Sequence, residues 1–310
     1  MAARATDNAA WAGAKPTLSV LIPFLRDDPS MLLAALNREA ESLAGAAEVV
    51  ALDDGTGDRA LTQRLKAQAA GLALPVRLET LTANIGRAKG RNRLAGQARG
   101  RWLLFLDSDM LPDSPDFLTA YLSLIAEQAP AVAFGGFSLL QAPPRPEHAL
   151  HRRMALASDC APLAQRRAQP EKYLYTSNLL VRRDVFETIA FDEAFNGWGW
   201  EDVEWAMRVQ QRHPILHIDN SATHLGLDPA PAMAAKYEQS AANFARVVAA
   251  HLDVVSRYPS YRVARLLKRA PMRGAWRPAL KAIALMEFAP LAARALAMRL
   301  YRAALYAEAV

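Results

Sequence analysis

Cysteine is nearly absent from this chain of 310 residues, which carries Cys160 alone. A single cysteine excludes an internal disulfide framework and a cysteine-based zinc site, and it is typical of a protein from a reducing compartment. Its neighbours Asp159 and Ala161 supply no base that would activate the thiol. We therefore interpret Cys160 as an ordinary small apolar residue and not as a nucleophile.

Long apolar runs are also missing. No stretch of about 18 uncharged apolar residues occurs, so the sequence predicts no transmembrane helix. Residues 1–16 lack the apolar centre of a signal peptide and predict a disordered tail. These absences predict a cytoplasmic protein whose contact with a membrane, if any, is peripheral and on the inner face.

The positive charge is concentrated at the C-terminal end. From Arg257 onward, eleven Lys and Arg residues stand against Glu287 and Glu308, a net charge of +9 in a chain whose total is +6. Leu, Ala, Met and aromatic residues such as Trp276 alternate with these charges at helical intervals, which predicts a basic amphipathic extension over residues 253–310. Such an extension binds an anionic membrane surface. The alternative is a helical lid that packs on the domain with an arginine-rich outer face. No nucleic-acid-binding module accompanies the charge, so nucleic acid is not an expected partner.

Apolar segments of strand length alternate with segments of helical spacing. The predicted strands of the first half are 17–25, 48–52, 75–81 and 101–106, and the helices are 29–43, 58–70 and 86–99. The predicted strands of the second half are 131–137, 173–182 and 214–219, followed by helices over 230–250 and 260–307 that break near 271–278 and at Pro290. This alternation predicts an α/β fold with a largely parallel sheet.

Two of these strands end in paired carboxylates. Asp53 and Asp54 follow one strand, and Asp107, Ser108 and Asp109 follow another. Ligands of α/β sheets bind beyond the carboxyl ends of the strands. Carboxylates there suit Mg²⁺ or Mn²⁺, which prefer oxygen ligands and share them with substrate phosphates. The alternative is a loop that only caps the next helix, around residues 113–114.

Residues 196–205 (NGWGWEDVEW) carry three tryptophans, two glycines and three carboxylates. So many charges beside so many indoles are not expected in a protein core. They are expected in a site that binds a sugar on aromatic faces and removes a proton from it. Trp205 is expected to pack in the core. Together with the metal-type carboxylates, the segment indicates an enzyme that transfers a sugar from a metal-bound nucleotide.

Several motifs occur together in the order found in a known enzyme family. The N-terminal motifs are residues 19–23 (SVLIP), 53–56 (DDGT), 84–86 (NIG), 91–92 (RN) and 107–109 (DSD). They resemble family 2 glycosyltransferases of the GT-A fold. The later motifs are residues 177–179 (SNL), 191–193 (FDE) and 197–202 (GWGWED). These resemble the acceptor half of bacterial polysaccharide glycosyltransferases and animal β-1,4-galactosyltransferases. The resemblance implies a Rossmann-like mixed sheet flanked by helices over residues 17–252, and it does not cover the basic extension.

The resemblance also implies a set of donor-binding residues. Asp54 would accept a hydrogen bond from the base, which we expect to be uracil, and Asp107 would face the ribose. Arg87 and Lys89 would contact the diphosphate, since Arg offers a planar fork and Lys a point charge to phosphate oxygens. Their alternative role is a solvated helix face. Pro23 ends the first motif and is counted among the donor-binding residues. Relatives carry a polar or aromatic residue two positions after this proline, where this chain has Leu25. Contacts with the base at that position are therefore expected from the backbone.

The implied metal site combines Asp107, Asp109 and His224 around Mn²⁺ or Mg²⁺. Asp109 would be a direct ligand, and an imidazole at His224 can complete an octahedral site with two phosphate oxygens. A structural role is the alternative for His224. His217, in the strand that precedes the turn leading to His224, is expected to be buried.

On the acceptor side, the resemblance implies Asp202 as the catalytic base. Inversion at an anomeric carbon requires a carboxylate that takes the proton of the acceptor hydroxyl, and a helix N-terminus is expected to favour the ionised form of Asp202. Glu201 is expected to order the site. Trp198 and Trp200 would form a platform for the acceptor, with Asn178 nearby. The alternative for Glu201 and Asp202 is simple capping of the helix.

The sequence thus predicts an inverting, metal-dependent hexosyltransferase that uses a nucleoside-diphosphate sugar, with a UDP-sugar preferred. Its expected acceptor is a saccharide or lipid-linked saccharide of bacterial surface polysaccharide synthesis. One alternative is a nucleotidyltransferase that makes nucleotide sugars, although residues 23–26 (PFLR) are not its usual glycine-rich phosphate loop. Another is a non-catalytic, membrane-associated glycan-binding protein, which would need the tryptophans but neither Asp109 nor Asp202. A retaining mechanism stays open, because the fold supports both outcomes.

Overall fold

A mixed eight-stranded sheet forms the centre of the structure, a computed structural model that describes residues 3–271 and 273–310. The strands of the chain are β1 (Ala3–Asp7), β2 (Leu18–Phe24), β3 (Ala47–Asp53), β4 (Val76–Leu81), β5 (Trp102–Phe105), β6 (Met110–Pro112), β7 (Val132–Phe134), β8 (Phe137–Ser138), β9 (Leu179–Arg182), β10 (Ile215–His217) and β11 (Ala222–His224). The order across the large sheet is β1-β4-β3-β2-β5-β9-β7-β10, and β6-β11-β8 form a small second sheet.

Helices cover the large sheet and form the C-terminal part of the chain. They are α1 (Ser30–Asn37), α2 (Ala40–Leu43), α3 (Arg59–Ala70), α4 (Arg87–Gln97), α5 (Phe117–Gln128), α6 (Ala149–Ala157), α7 (Leu163–Ala168), α8 (Arg183–Thr188), α9 (Glu201–Gln210), α10 (Ala230–Ala250), α11 (Leu252–Val255), α12 (Pro259–Lys268), α13 (Arg273–Leu285) and α14 (Leu291–Tyr306). The predicted α/β class, with a mixed sheet flanked by helices and a helical C-terminal region, is confirmed.

The central strands explain why their sequence is almost continuously apolar. Strands β4, β3, β2 and β5 pair in parallel, and the residues of β3 are all buried. Apolar clusters lie on both faces of this sheet, because parallel sheets are covered by helices on each side. The carboxyl ends of β2, β3 and β5 therefore meet at one edge, and the residues that follow these strands are held next to one another there.

The prediction that residues 1–16 form a disordered tail is wrong for the part that the structure describes. Residues 3–7 form β1, which pairs antiparallel with β4 at the edge of the sheet. The side-chain amide of Asn8 donates to the carbonyls of Ala69, Leu72 and Leu74, and its oxygen accepts from the Val76 amide. The segment carries no apolar alternation of its own, so its order comes from pairing with residues about 70 positions away. Residues 1–2 lie outside the described residues.

The predicted helix over residues 29–43 is two helices, α1 and α2, because the chain turns at Glu39. The Glu39 side chain is buried and accepts hydrogen bonds from the Leu118 and Thr119 amides at the start of α5. Glu39 therefore caps α5 from a distant part of the chain. The idea that the loop after Asp109 serves only to cap this helix is wrong.

The C-terminal helices pack on the rest of the protein. One apolar cluster contains Met154 of α6, Met207 of α9, Phe244 of α10 and Tyr301 of α14. The lid-like packing considered for the basic extension is therefore what the structure shows, and membrane contact stays a prediction, as does a domain boundary at residue 252. The predicted break near 271–278 is confirmed, since α12 ends at Lys268 and α13 begins at Arg273, although α13 then continues through Pro278. The break at Pro290 is also confirmed, since α13 ends at Leu285 and α14 begins at Leu291. Residue 272 lies outside the described residues. In the part of the chain that is described, no helix is long and apolar enough to span a bilayer.

Candidate active site

Strand pairing brings the DSD segment next to a histidine from much later in the chain. Asp107 and Asp109 follow β5 at the carboxyl edge of the sheet, and β6 begins directly after them. Strand β11 pairs antiparallel with β6, with His224 opposite Met110. The backbone carbonyl of Asp109 also accepts from the amide of Leu225. These contacts place the Asp109 and His224 side chains together, as the sequence predicted.

Asp109 and His224 form an ion pair, with 3.1 Å between the Asp109 Oδ2 and His224 Nε2 atoms. Burial opposes charge on the imidazole, but the hydrogen bond and the charge of Asp109 raise the pKa of His224 above its usual value. Burial would likewise raise the pKa of Asp109, and the contacts with His224 hold it below the usual range. The His224 Nδ1 atom is buried and has no hydrogen-bond partner within the described structure.

This pair has the chemistry of an incomplete metal site. Among residues 3–271 and 273–310, no three His, Cys, Asp or Glu side chains converge as a metal-ligand set. One carboxylate and one imidazole nevertheless suit Mn²⁺ or Mg²⁺ when substrate phosphates supply the remaining ligands. An added Cβ atom at Gly226 would overlap the Asp109 carboxylate, so the backbone lies tightly against this ligand. The residues present therefore fit a metal that binds together with a diphosphate.

Arg91 connects this site with the tryptophan-rich segment. Its Nη2 atom donates to Asp107 Oδ1 at 2.8 Å, and its Nη1 atom donates to Glu201 Oε1 at 3.4 Å. The side chains of Arg91 and Glu201 are both buried. The motif at residues 91–92 was part of the family resemblance, but the role of Arg91 as a bridge between β5 and α9 had no signal in the sequence. The predicted ordering role of Glu201 is consistent with this contact.

Asp202 lies in the first turn of α9, directly after Glu201. Its Oδ1 atom accepts a hydrogen bond from the amide of Val203 at 2.8 Å, so it satisfies one helix-terminal donor while the rest of the carboxylate stays available. Burial, followed by the negative charge of Glu201, raises the pKa of Asp202 to about 7. The expectation that the helix N-terminus favours the ionised form is therefore wrong, because desolvation outweighs the helix dipole.

The predicted donor-binding residues lie around the N-terminus of α4. Asp54 accepts hydrogen bonds from the Ile85 and Gly86 amides and from the Asn84 side chain, so it fixes the loop that leads into this helix. Its Oδ1 atom accepts only one of these bonds, and a contact with a base therefore stays a prediction. Arg87 is exposed, and its charge acts on Asp109.

Lys89 is exposed two residues further along α4. Pro23 is partly buried in β2, opposite Leu52 of β3. The structure thus brings Arg87 towards the DSD segment and leaves Lys89 on the open surface of the helix. The donor contacts predicted for Pro23 and Lys89 stay predictions.

Asn178 is not available to bind an acceptor. It is fully buried, its Oδ1 atom accepts from the Tyr121 hydroxyl, and its Nδ2 atom donates to the carbonyls of Gly136 and Asn220. Because both ends of the amide are bonded to protein, Asn178 fixes the turn after β7. Its assignment to the acceptor site is corrected on this ground.

Trp198 and Trp200 face the C-terminal helices. The indole N–H of Trp200 donates to the Tyr306 hydroxyl at 2.9 Å, and its ring centre lies 4.9 Å from that of Phe244. The ring of Trp198 lies 5.9 Å from that of Tyr237. Both indoles are partly exposed, so their role as a platform for the acceptor stays a prediction. Trp200 also joins the start of α9 to α14. As predicted, Trp205 and His217 are buried.

Several titratable residues near the Asp109 and His224 pair were not predicted from the sequence. The His151 ring centre lies 6.0 Å from that of His224, and burial lowers the pKa of His151 to about 4. Lys236 of α10 forms an ion pair with Asp228 at 2.6 Å. None of these residues lies in a recognisable motif, and their separation along the chain hid their proximity.

The basic extension also contributes a residue to this region. The guanidinium carbon of Arg302 lies 5.1 Å from the centre of the Tyr237 ring, which is the ring beside Trp198. Only the packing of α14 against α10 brings Arg302 close to the tryptophan-rich segment.

Comparison with known proteins agrees with this fold. The sequence profile of glycosyl transferase family 2 matches residues 19–190, which is more than half of the chain. The protein belongs to this family, and the resemblance seen in the sequence is confirmed. It is a glycosyltransferase with the GT-A fold. The match ends before the tryptophan-rich segment. No curated protein matches the chain.

Solved structures of glycosyltransferases share the fold. The mannosyltransferase PcManGT from Pyrobaculum calidifontis, solved with GDP-Man and Mn²⁺, has a TM-score of 0.59 and 15% identity, covering 94% of this chain and 86% of its own. S. aureus TarS 1–349 with UDP-GlcNAc has a TM-score of 0.50 and 18% identity, covering 92% and 89%. Glucosyl-3-phosphoglycerate synthase from Mycobacterium tuberculosis has a TM-score of 0.50 and 18% identity, covering 78% and 81%.

Proposed function

We propose that this protein is an inverting, metal-dependent hexosyltransferase that takes a hexose from a UDP-sugar. Its acceptor is a saccharide or a lipid-linked saccharide of bacterial surface polysaccharide synthesis. It acts at the cytoplasmic face of the membrane, to which the basic extension binds. The single cysteine and the net positive charge of residues 253–310 favour this location.

The observation that carries the proposal is the chain of contacts from the DSD segment to Asp202. Asp107 is bonded to Arg91, Arg91 is bonded to Glu201, and Asp202 follows Glu201 in α9. A donor held at Asp107 and Asp109 would therefore lie beside a carboxylate whose pKa is about 7. A general base is most effective when its pKa is near the operating pH. Asp202 is thus suited to take the proton of an acceptor hydroxyl as the hexose is transferred.

The remaining site residues have separate proposed roles around the reacting centre. Asp109 and His224 would hold the metal, which neutralises charge on the leaving diphosphate when it is bound. Arg87 faces the same region and would contact the diphosphate oxygens. Glu201 is fixed by Arg91 and holds the first turn of α9 in place. Trp198 offers a partly exposed ring beside Tyr237 for the acceptor sugar.

The proposal is tested by measuring nucleotide release from a panel of UDP-hexoses and GDP-mannose, with and without Mn²⁺. GDP-mannose is included because it is the donor bound to PcManGT. We expect metal-dependent turnover of one UDP-hexose, and loss of that turnover in Asp109→Ala. Asp116→Ala, which removes an exposed carboxylate seven residues later, serves as the matched control. An inverted anomeric configuration of the product, measured by NMR, is expected.

Three results would contradict the proposal. Turnover of GDP-mannose alone would refute the choice of uridine. Full activity without metal, or in Asp109→Ala, would refute the metal site. Retention of the anomeric configuration would refute Asp202 as a base in a single displacement. Formation of a nucleotide sugar from a sugar phosphate would instead favour a nucleotidyltransferase.

Gly226→Ala is expected to weaken Mn²⁺ binding by about 10- to 100-fold, the range seen when the surroundings of a metal ligand are altered. The added Cβ atom would overlap the Asp109 carboxylate, which must move away from His224. Both ligands stay in the protein, so the effect reports on their position. Activity as a function of Mn²⁺ concentration, and Mn²⁺ binding in the presence of UDP by electron paramagnetic resonance, measure it.

The matched control is Gly96→Ala. Gly96 lies in α4, and a Cβ atom there meets no other atom within 4 Å. We expect unchanged Mn²⁺ affinity in this variant. An unchanged affinity in Gly226→Ala as well would show that Asp109 does not hold the metal in the position seen here.

A further inference from the structure

An apolar cleft of about 640 Å³ lies between α12, α13 and α14. Its walls include Leu267 of α12, Trp276 and Leu280 of α13, and Leu300 and Ala304 of α14. Pockets that bind small molecules have volumes of about 300–1,000 Å³ and are lined mainly by apolar side chains. The cleft has the size and lining of a site for a hydrocarbon group, and the transfer reaction described above does not use it.

Exposed apolar side chains are concentrated around this part of the protein. Ten large apolar side chains are exposed in the described residues, and five of them lie between residues 266 and 296: Leu266, Trp276, Ile283, Phe288 and Leu296. Trp276 both lines the cleft and is 55% exposed, and its indole N–H donates to the carbonyl of Pro271. Exposed apolar residues grouped in this way mark an interaction surface.

The same helices carry the charge that selects a partner. Helix α12 lines the cleft with Leu267 and exposes Arg262 and Arg265 on its outer side, and Arg269 is exposed directly after it. Within the described structure these three arginines have no ion-pair partner, whereas Arg277 inside the cleft is paired with Glu308. The unpaired charges therefore lie on the exposed side of a helix whose other side lines the apolar cleft, which is complementary to a molecule with an anionic head and a hydrocarbon tail.

Helix α14 separates this cleft from the active site. Leu300 and Ala304 face the cleft, while Arg302 and Tyr306 face Tyr237 and Trp200 on the opposite side. A helix with its side chains is about 10–12 Å across. A ligand in the cleft is therefore near the active site without entering it, so it would serve as an anchor and not as the acceptor.

We propose that the cleft binds an acyl chain of an anionic phospholipid in the membrane, with the arginines of α12 at its headgroup. Trp276 and Leu266 then enter the interface beside the bound chain. This inference rests on the membrane contact included in the proposed function and gives it a molecular basis. It does not depend on the transfer reaction. It differs from adsorption of an amphipathic helix, because one lipid chain occupies a defined cavity between three helices.

The experiment measures binding of the full-length protein to vesicles of phosphatidylcholine, with and without phosphatidylglycerol, by co-sedimentation. We expect binding only to the anionic vesicles. Ala304→Phe fills the cleft and is expected to weaken binding at least tenfold, whereas Ala292→Phe, the same change at an exposed position of α14, is not. Leu267→Gln makes the cleft wall polar without adding bulk, and it is the second variant should Ala304→Phe fail to fold.

Charge is tested with a matched pair of double variants. Arg262→Gln with Arg265→Gln is expected to weaken binding to anionic vesicles by about 25-fold at low salt, since each basic residue near such a surface contributes about fivefold. Arg38→Gln with Arg59→Gln removes the same charge from exposed positions of the catalytic part and is expected to have no effect.

Occupation of the cleft is tested with phospholipids that carry bromine in the acyl chain, which quench nearby tryptophan fluorescence. We expect quenching in the wild type that is reduced in Trp276→Phe and in Ala304→Phe. If Ala304→Phe and Leu267→Gln both bind anionic vesicles as tightly as the wild type, the proposal is wrong and the binding is surface adsorption. Dimerisation without vesicle binding would also overturn it and identify the cleft as an interface between copies. Neither measurement requires a donor or catalysis, so failure of the proposed transfer reaction would be seen separately.

Discussion

Asp202→Asn is expected to lower kcat by a factor of about 10² to 10⁴, the usual contribution of a general base. Asparagine keeps the shape of the side chain and its hydrogen bond with the Val203 amide, but it cannot take a proton. The donor contacts at the DSD segment are unchanged, so the affinity for the nucleotide should stay the same. Initial rates with the donor identified in the panel, together with calorimetric binding of UDP, measure the two effects separately.

The pH dependence of the wild type supports the same assignment. The base must be deprotonated, and burial beside Glu201 raises the pKa of Asp202 to about 7. Activity should therefore fall by about tenfold for each pH unit below this value. The positive charge of Arg91 opposes the shift and the charge of Asp107 adds to it. The residual activity of Asp202→Asn should not show this decrease below pH 7.

A stability measurement separates a catalytic loss from unfolding. Because the folded state raises the pKa of Asp202, it favours the protonated form, and its stability falls as the pH rises through about 7. The asparagine side chain of Asp202→Asn stays neutral at every pH, so this variant should unfold at a temperature no lower than that of the wild type above pH 7. Asp253→Asn, at an exposed first-turn position of α11, is the matched control. Wild-type kcat in Asp202→Asn would exclude Asp202 as the base.

Arg91→Met is expected to lower the free energy of unfolding by about 3–5 kcal/mol, the usual cost of removing one partner of a buried ion pair. Methionine fills part of the space but leaves Glu201 buried without its cation. The Glu201 Oε2 atom already has no partner in the described structure, which makes this loss more severe. Denaturant midpoints measure the change in stability, and activity should fall with it because Asp107 and α9 lose their common contact.

Two further variants test the cause of this effect. Arg64→Met removes an arginine from the exposed pair with Asp28 and is expected to cost less than about 1 kcal/mol. Adding Glu201→Gln to Arg91→Met removes the unpaired charge, so part of the stability should return while activity stays low. A loss in Arg91→Met no larger than that in Arg64→Met would contradict the structural role of the bridge.

The site residues separate into those visible as local patterns and those set by distant contacts. Asp109 follows an apolar strand, and His224 follows another, so the edge of the sheet could be predicted for both. Asn178 also lies in a recognised motif, but a motif does not tell whether a side chain faces the site or the interior. The structure places it among Tyr121 and backbone carbonyls, where its amide has a structural role.

The sequence by itself determined the α/β class, the family and the positions of the carboxylates, because strand and helix periodicity and the spacing of motifs are local properties. Tertiary structure alone decided the rest. Pairing across about 70 residues ordered β1, burial beside Glu201 raised the pKa of Asp202, and the packing of α14 brought Tyr306 against Trp200. Each of these depends on desolvation and contact between segments far apart in the chain, and no local pattern of residues records such contacts.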